Sequence, residues 1–440
     1  MTTDAGDANL LARRLGLFDA TMIVMGGIIG AGIFINPSVV ARAVHTPTLI
    51  LIPWIAGGVI ALAGAFVYAE LADRKPDVGG QYAYIRDAFH PMIAFLYGWT
   101  LLLVTQTGGM AAVAMTFAGY FRELTGTGLT RPMLAVTTLL SLTAVNCFGV
   151  RAGSNVQSTL MVLKILAIAI LVIVGAGAPI PPTAGTSPNV SGGSAVALAA
   201  AMVPVLFAYG GWQTASFVSG EMRAPRRDLP RALLIGVLGV VVLYVAVNLV
   251  CLRALGPNGL AATSTPASEV MRRVLGAPGA RLIAAGIAVS TVGFLSQGML
   301  TAPRVYFAMA RDGLFFRSVG QVSARSRAPV AAIAVQGVWA SVIALSDRYD
   351  QILNYVVALD AVFFGLTGAA LLVLRRRDPR PGGGFRMPGH PWTTIIFVAA
   401  FWALAVNTIV RNPASAGIGV LILLAGIPVY LFWRRRPSNA

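Results

Sequence analysis

Apolar residues run along this chain in twelve long stretches, at about 17–40, 48–72, 93–119, 132–150, 155–177, 194–218, 230–252, 280–308, 329–346, 352–374, 392–410 and 414–433. Each approaches or exceeds the ~20 residues that carry a helix across a bilayer. The pattern predicts an all-α membrane protein of twelve transmembrane helices. Short connections leave no room for an attached soluble domain. The first stretch follows Arg13 and Arg14 without a small-residue cleavage site, so a retained span is expected rather than a signal peptide.

Two stretches are interrupted. The first holds Gly26-Gly27-Ile28-Ile29-Gly30-Ala31-Gly32-Ile33-Phe34, then Asn36-Pro37; the sixth holds Phe207-Ala208-Tyr209-Gly210-Gly211-Trp212. Glycine is a poor helix former, and unwound backbone inside a bilayer is tolerated only where protein or a cavity surrounds it. Spans 1 and 6 open two successive groups of five. Interruptions at corresponding positions of two halves point to an inverted repeat with a site near the membrane midplane. The expected organisation is a tail (1–16), a first repeat of spans 1–5 (17–177), a second of spans 6–10 (194–377), spans 11 and 12 (389–433) and a closing tail (434–440).

Composition agrees: 57% of residues are hydrophobic and 11% charged, against roughly 25% charged in soluble domains. The net charge of +17 would suggest nucleic acid in a soluble protein. Here its distribution excludes that partner. With the N-terminus inside, the inner segments hold 23 of the 33 Lys and Arg residues and the outer loops 9. That is the positive-inside asymmetry, and it places both termini in the cytoplasm; the basic loops also suit anionic lipid. The two cysteines, Cys147 and Cys251, lie in different spans without metal-ligand spacing, so neither a disulfide nor a metal site is expected. No cofactor motif is present. The glycine cluster of span 1 is not a dinucleotide loop, because no strand–helix unit flanks it and no acid follows until Glu70.

A broken helix offers charge complementarity at both ends. The half-helix starting near Ala31 has free amides at Ala31, Gly32 and Ile33 and a dipole that suits a carboxylate. Carbonyls at Ile28, and at Phe207, Ala208 and Gly210 in span 6, suit an ammonium. Two such breaks side by side would hold a zwitterion, of which an α-amino acid is the simplest. The competing reading is close helix packing through small residues.

The string Gly27 to Phe34 with Asn36-Pro37 resembles the first-span signature of the amino acid–polyamine–organocation superfamily. The resemblance covers nearly the whole chain: Tyr68-Ala69-Glu70-Leu71 with Gly79-Gly80-Gln81-Tyr82-Ala83-Tyr84, Phe207 to Trp212 with Glu221-Met222 and Pro230-Arg231-Ala232, then Arg311-Asp312-Gly313 and Pro388. It is most similar to the L-type amino acid transporter branch and its bacterial exchangers. The resemblance implies a LeuT-like five-plus-five fold with discontinuous helices 1 and 6, alternating access, amino acid transport, and Phe207 as an aromatic gate, with Trp212 beside it. Metazoan members of the branch join a single-span glycoprotein through a cysteine between spans 3 and 4; residues 120–131 hold none, so no disulfide-linked accessory subunit is expected.

Lys164, one of only two lysines, interrupts Leu160-Met161-Val162-Leu163-Lys164-Ile165-Leu166. An intramembrane charge marks a functional position by default; the alternative is a side chain that snorkels to the surface. The resemblance matches Lys164 to a fifth-span lysine that stands where sodium-coupled relatives hold a cation, and so implies sodium independence. Asp360 interrupts span 10, where the branch carries a neutral polar residue. Three roles are open to it: a coupling proton site, an acceptor for a cationic amino acid or polyamine, or a static partner of a polar neighbour. Gln106, Gln213 and Gln297 fall on spans expected to line the pocket, with Gln297 taken as a substrate contact. Glu70 and Glu221 sit at span ends beside arginines and are expected in ion pairs.

No nucleophile–base pair, metal cluster or phosphate-binding loop is present, so no catalytic residue, metal or ATP drive is expected. A secondary transporter of neutral amino acids, as exchanger or proton symporter, is the expected function. A cationic or polyamine substrate and an amino-acid-binding membrane sensor are the alternatives. A bacterial inner-membrane protein, monomeric or weakly homo-oligomeric, completes the expectation.

Overall fold

A computed structural model describes residues 11–181, 194–346, 349–379, 384–411 and 413–434. Most of the expected outer loop from Ser187 to Ser194, Arg380 and most of both tails lie outside the described residues. Among the described residues the protein is helical, apart from one isolated parallel bridge between Leu15 and Met222. Helices α1 (Leu17–Ile28) and α2 (Gly32–Val44) form the first broken span. Next come α3 (Pro47–Arg74), the short α4 (Gln81–Ala88), and α5 (Pro91–Thr100), which runs through a π turn at Leu101–Thr105 into α6 (Gln106–Thr125). Helices α7 (Arg131–Cys147) and α8 (Val150–Ala176) complete the first part.

The second part begins with α9 (Ser194–Tyr209), which breaks and continues as a 3₁₀ stretch, Trp212–Glu221. Then follow α10 (Pro225–Ala262), α11 (Pro266–Thr301), the short α12 (Pro303–Arg311), α13 (Val330–Leu345), α14 (Tyr349–Arg377), α15 (Trp392–Arg411) and α16 (Pro413–Arg434). Among the described residues ten helices are long and apolar enough to cross a membrane, and the protein is a multi-pass membrane protein. The runs at 132–150 and 329–346 fold as α7 and α13, of 17 and 16 residues. At 1.5 Å per residue these are about 25 Å long, somewhat short of the hydrocarbon thickness. They pack on each other and on α6.

Helices α10 and α11 outrun their apolar stretches. Gly256 and Gly276 adopt φ of 66° and 67°, and each lets a helix turn aside into a further short helical segment. Helix α10 packs along α3, α11 along α8, and α14 along α15. Trp54 of α3 meets Tyr209 and Tyr244 edge-on at 6.0 and 5.8 Å, so α3, α9 and α10 share an aromatic core behind the two breaks.

Candidate binding site at the paired helix breaks

Helix α1 stops at Ile28 because Ile29 turns to an extended ψ of 97°, and α2 begins only at Gly32. Helix α9 stops at Tyr209, and Gly211 takes φ +109°, a conformation that side chains rarely adopt. The two breaks touch through backbone. A Cβ on Gly27 would lie 2.5 Å from the Gly211 carbonyl oxygen, and one on Gly211 would lie 2.0 Å from that of Gly27. The glycines thus bring two unwound segments into close contact.

The carbonyls freed at the end of α1 are met by side chains. The Lys164 ammonium, wholly buried, donates to the carbonyls of Gly26 at 3.3 Å and of Ile29. It lies against Gly293 of α11, whose missing side chain makes room for it. Lys164 therefore does not snorkel to a surface; it holds the end of α1 against α8 and α11. Ser290 donates to the Gly30 carbonyl at 3.2 Å. The Tyr244 hydroxyl lies 3.0 Å from the Ile28 carbonyl and 3.2 Å from that of Ala208, bridging the breaks. It has one proton to give, so one of the two carbonyls is always left to a second donor. Tyr244 was not among the expected site residues. Its one signal in sequence is a hydroxyl inside the aliphatic run Val240-Val241-Val242-Leu243.

A cavity of about 290 Å³ opens against these breaks, at the small end of ligand pockets. Of the residues expected to contact a ligand, Ile28, Ala31, Gly32, Phe207, Ala208, Gly210, Gln297 and Asp360 all line it. Gln106 and Gln213 line it too, as do Thr105 and Thr214. Ile33 does not; its side chain is buried, and only its amide, in the first turn of α2, is without an intrahelical partner. Phe207 is 43% exposed beside the cavity. Trp212 sits behind the wall instead: it is 1% exposed and stacks on Phe364, a lining residue, at 5.1 Å. The Gln297 amide donates to Thr214 at 2.5 Å and to Thr301 at 3.3 Å, which fixes it beside Gly27. Asn36 donates to the Pro204 carbonyl at 2.9 Å and ties α2 to α9.

The lining residues extend from the breaks towards the end of the bundle away from the N-terminus. On the N-terminal side the structure is shut. Glu221 and Arg304, both wholly buried, form a bidentate pair at 2.7 and 2.9 Å. The amides of Arg14 and Leu15 donate to the Glu221 carbonyl, and Arg223 returns a bond to Leu15. A Cβ on Gly80 would fall within 2.5 Å of Ser216. Asp312 accepts from Tyr82 at 2.8 Å and from Arg86 at 2.7 Å. Burial works against the Arg86 charge, but the hydrogen bond and field of Asp312, helped by Asp87, outweigh it and hold the guanidinium above its ordinary pKa. Glu70 accepts from Arg74, from Arg375 and from the Met387 amide. Both expected glutamates are thus in ion pairs.

No group of three potential metal ligands occurs among the described residues. Both cysteines are free.

The amino acid permease family model matches residues 15–433. The chain is 31% identical to the large neutral amino acids transporter small subunit 2 of Rattus norvegicus, over 99% of this chain and 84% of that protein. It is 30% identical to the serine/threonine exchanger SteT of Bacillus subtilis, over 98% of this chain and 99% of that protein. It is also 30% identical to the human Asc-type amino acid transporter 1, over 99% and 85% respectively. These are transporters and not enzymes. The chain belongs to the amino acid permease family of the amino acid–polyamine–organocation superfamily, in the company of the L-type transporters and bacterial exchangers.

Proposed function

We propose that this protein is a sodium-independent secondary transporter of L-α-amino acids, neutral ones first, working by alternating access. One observation carries the reading: two helix breaks lie back to back at Gly27 and Gly211 and open onto one cavity. The substrate carboxylate sits on the amides of Ala31, Gly32 and Ile33, at the positive end of α2. Its ammonium takes the carbonyl that Tyr244 leaves free at Ile28 or Ala208, with those of Phe207 and Gly210 close by. Phe207 closes over the bound amino acid, and Trp212 backs the wall through Phe364. Sodium independence rests on Lys164, whose ammonium already satisfies the carbonyls that a bound cation would use.

The architecture in this reading is twelve spans, with 17–177 and 194–377 as inverted halves, 389–433 appended and both tails in the cytoplasm of a bacterial inner-membrane protein. The cavity then faces outside and the shut side faces the cytoplasm. The names of the relatives, two transporter subunits or transporters of amino acids and one exchanger, favour exchange over proton symport. The protein works without a disulfide-linked subunit, as a monomer or weak homo-oligomer.

Counterflow in proteoliposomes tests this. Vesicles loaded with unlabelled neutral amino acid should accumulate external label equally in sodium and in N-methylglucamine buffers. Uptake that requires sodium would reject the role given to Lys164. Binding without any accumulation would turn the reading to a sensor.

A further inference from the structure

Asp360 is the one ionisable side chain among the cavity's lining residues. It stands on α14, half-buried, between Val356 and Phe364, which also line the cavity. No basic side chain pairs with it among the described residues, whereas Glu70, Glu221, Asp87, Glu269 and Asp312 all have basic partners. Thr105 lies close to it on the same cavity wall. A carboxylate has about four acceptor positions. A single threonine leaves most of them open to the cavity.

The backbone around Thr105 is also unusual. The Gln106 amide bonds to the Leu101 carbonyl, five residues back, and the Thr107 hydroxyl bonds to the Leu102 carbonyl at 2.5 Å. π turns of this kind concentrate at functional positions. Here the widened turn leaves Leu101, Thr105 and Gln106 all on the cavity wall. Gln213, on the other broken span, lines the same space, and its Oε1 has no hydrogen-bond partner among the described residues. Asp360, Thr105, Gln106 and Gln213 thus place polar side chains on the cavity wall in addition to the backbone of the two breaks.

We infer that Asp360, on a cavity wall shared with Thr105, Gln106 and Gln213, is a distal subsite that reads a hydrogen-bond donor on the substrate side chain. The inference rests on the amino acid transporter reading and names its substrate class: small α-amino acids whose side chain ends in a hydroxyl or an amino group. A plain hydrocarbon side chain would strip water from the Asp360 carboxylate and return nothing. Sites built to hydrogen-bond a substrate group reject the analogue that lacks it more strongly than a hydrophobic pocket rejects one extra group.

Three side chains of nearly equal size separate the possibilities: L-α-aminobutyrate, L-serine and L-2,3-diaminopropionate carry CH₃, OH and NH₃⁺ on the same CH₂. The unaltered protein is assayed by counterflow with each as competitor against labelled alanine, with threonine against valine as a second isosteric pair. The expected result is at least tenfold stronger competition by serine or diaminopropionate than by aminobutyrate, and by threonine than by valine. The order of serine and diaminopropionate shows whether the subsite takes a neutral or a charged donor. In Asp360→Leu the ratio should fall towards one. Equal competition by all three in the unaltered protein, or a ratio that Asp360→Leu leaves unchanged, overturns the subsite while the alanine signal upholds the transporter reading. If alanine and every other amino acid fail to exchange, the transporter reading falls and the subsite with it.

Discussion

A carbonyl at a helix end inside a bilayer has to be met by a donor, and at the end of α1 two side chains provide one. Lys164 takes Gly26 and Ile29, and Tyr244 takes Ile28 or Ala208. Each buried acceptor left without its donor costs about 1–3 kcal/mol. Lys164→Met keeps an unbranched side chain one atom shorter and removes both bonds, so counterflow should drop at least tenfold and the melting temperature should fall. Lys164→Arg should not rescue it, because a guanidinium is bulkier than the ammonium and Lys164 is wholly buried against Gly293. Full activity of the methionine variant would reduce Lys164 to a packing residue. Tyr244→Phe removes one hydroxyl that two carbonyls share. A two- to tenfold loss of counterflow is expected, with little change in the melting temperature, in keeping with a single neutral hydrogen bond.

At the scale of elements, the two breaks depend on glycine for different reasons. Gly27 is helical and needs only space, whereas Gly211 needs both space and a positive φ. Gly211→Ala should therefore be the more damaging change. It strains the backbone by roughly 1–2 kcal/mol and drives a methyl into the Gly27 carbonyl, so little folded, active protein is expected in size-exclusion and counterflow assays. Gly417→Ala on α16, where a Cβ meets nothing within 4 Å, should leave both unchanged. The position of the breaks was legible in sequence because a run of glycines inside an apolar stretch has few other uses. The geometry beyond them was less so. The segment after Gly211 is 3₁₀ rather than α, a tighter turn set by packing against α1 and α10 rather than by composition. Trp212 lies behind the wall because the break rotates it onto Phe364 and Tyr68, which spacing along one helix does not reveal. Tyr244 escaped notice since a lone tyrosine in an aliphatic helix is ordinary until its partners are known.

For the molecule as a whole, the question is what keeps one end shut while the other is open. The ion pair of Glu221 and Arg304 joins the end of the second broken span to the start of α12, and the bridge from Leu15 to Met222 ties the entry of the first broken span to the same point. Both broken spans are thereby fastened at one level, so neither can swing outward alone. A buried pair gives modest net stability, but removing one partner strands the other charge at a cost of about 3–5 kcal/mol. Glu221→Gln should thus lower the melting temperature sharply and impair counterflow. The double variant Glu221→Gln/Arg304→Met removes the stranded charge and should recover much of the thermal stability. It should not recover transport if the pair has to form and break in each cycle. Recovery of both together would show the pair to be a fold element with no part in closure. Recovery of stability alone would locate the closing contact of the transport cycle at Glu221 and Arg304.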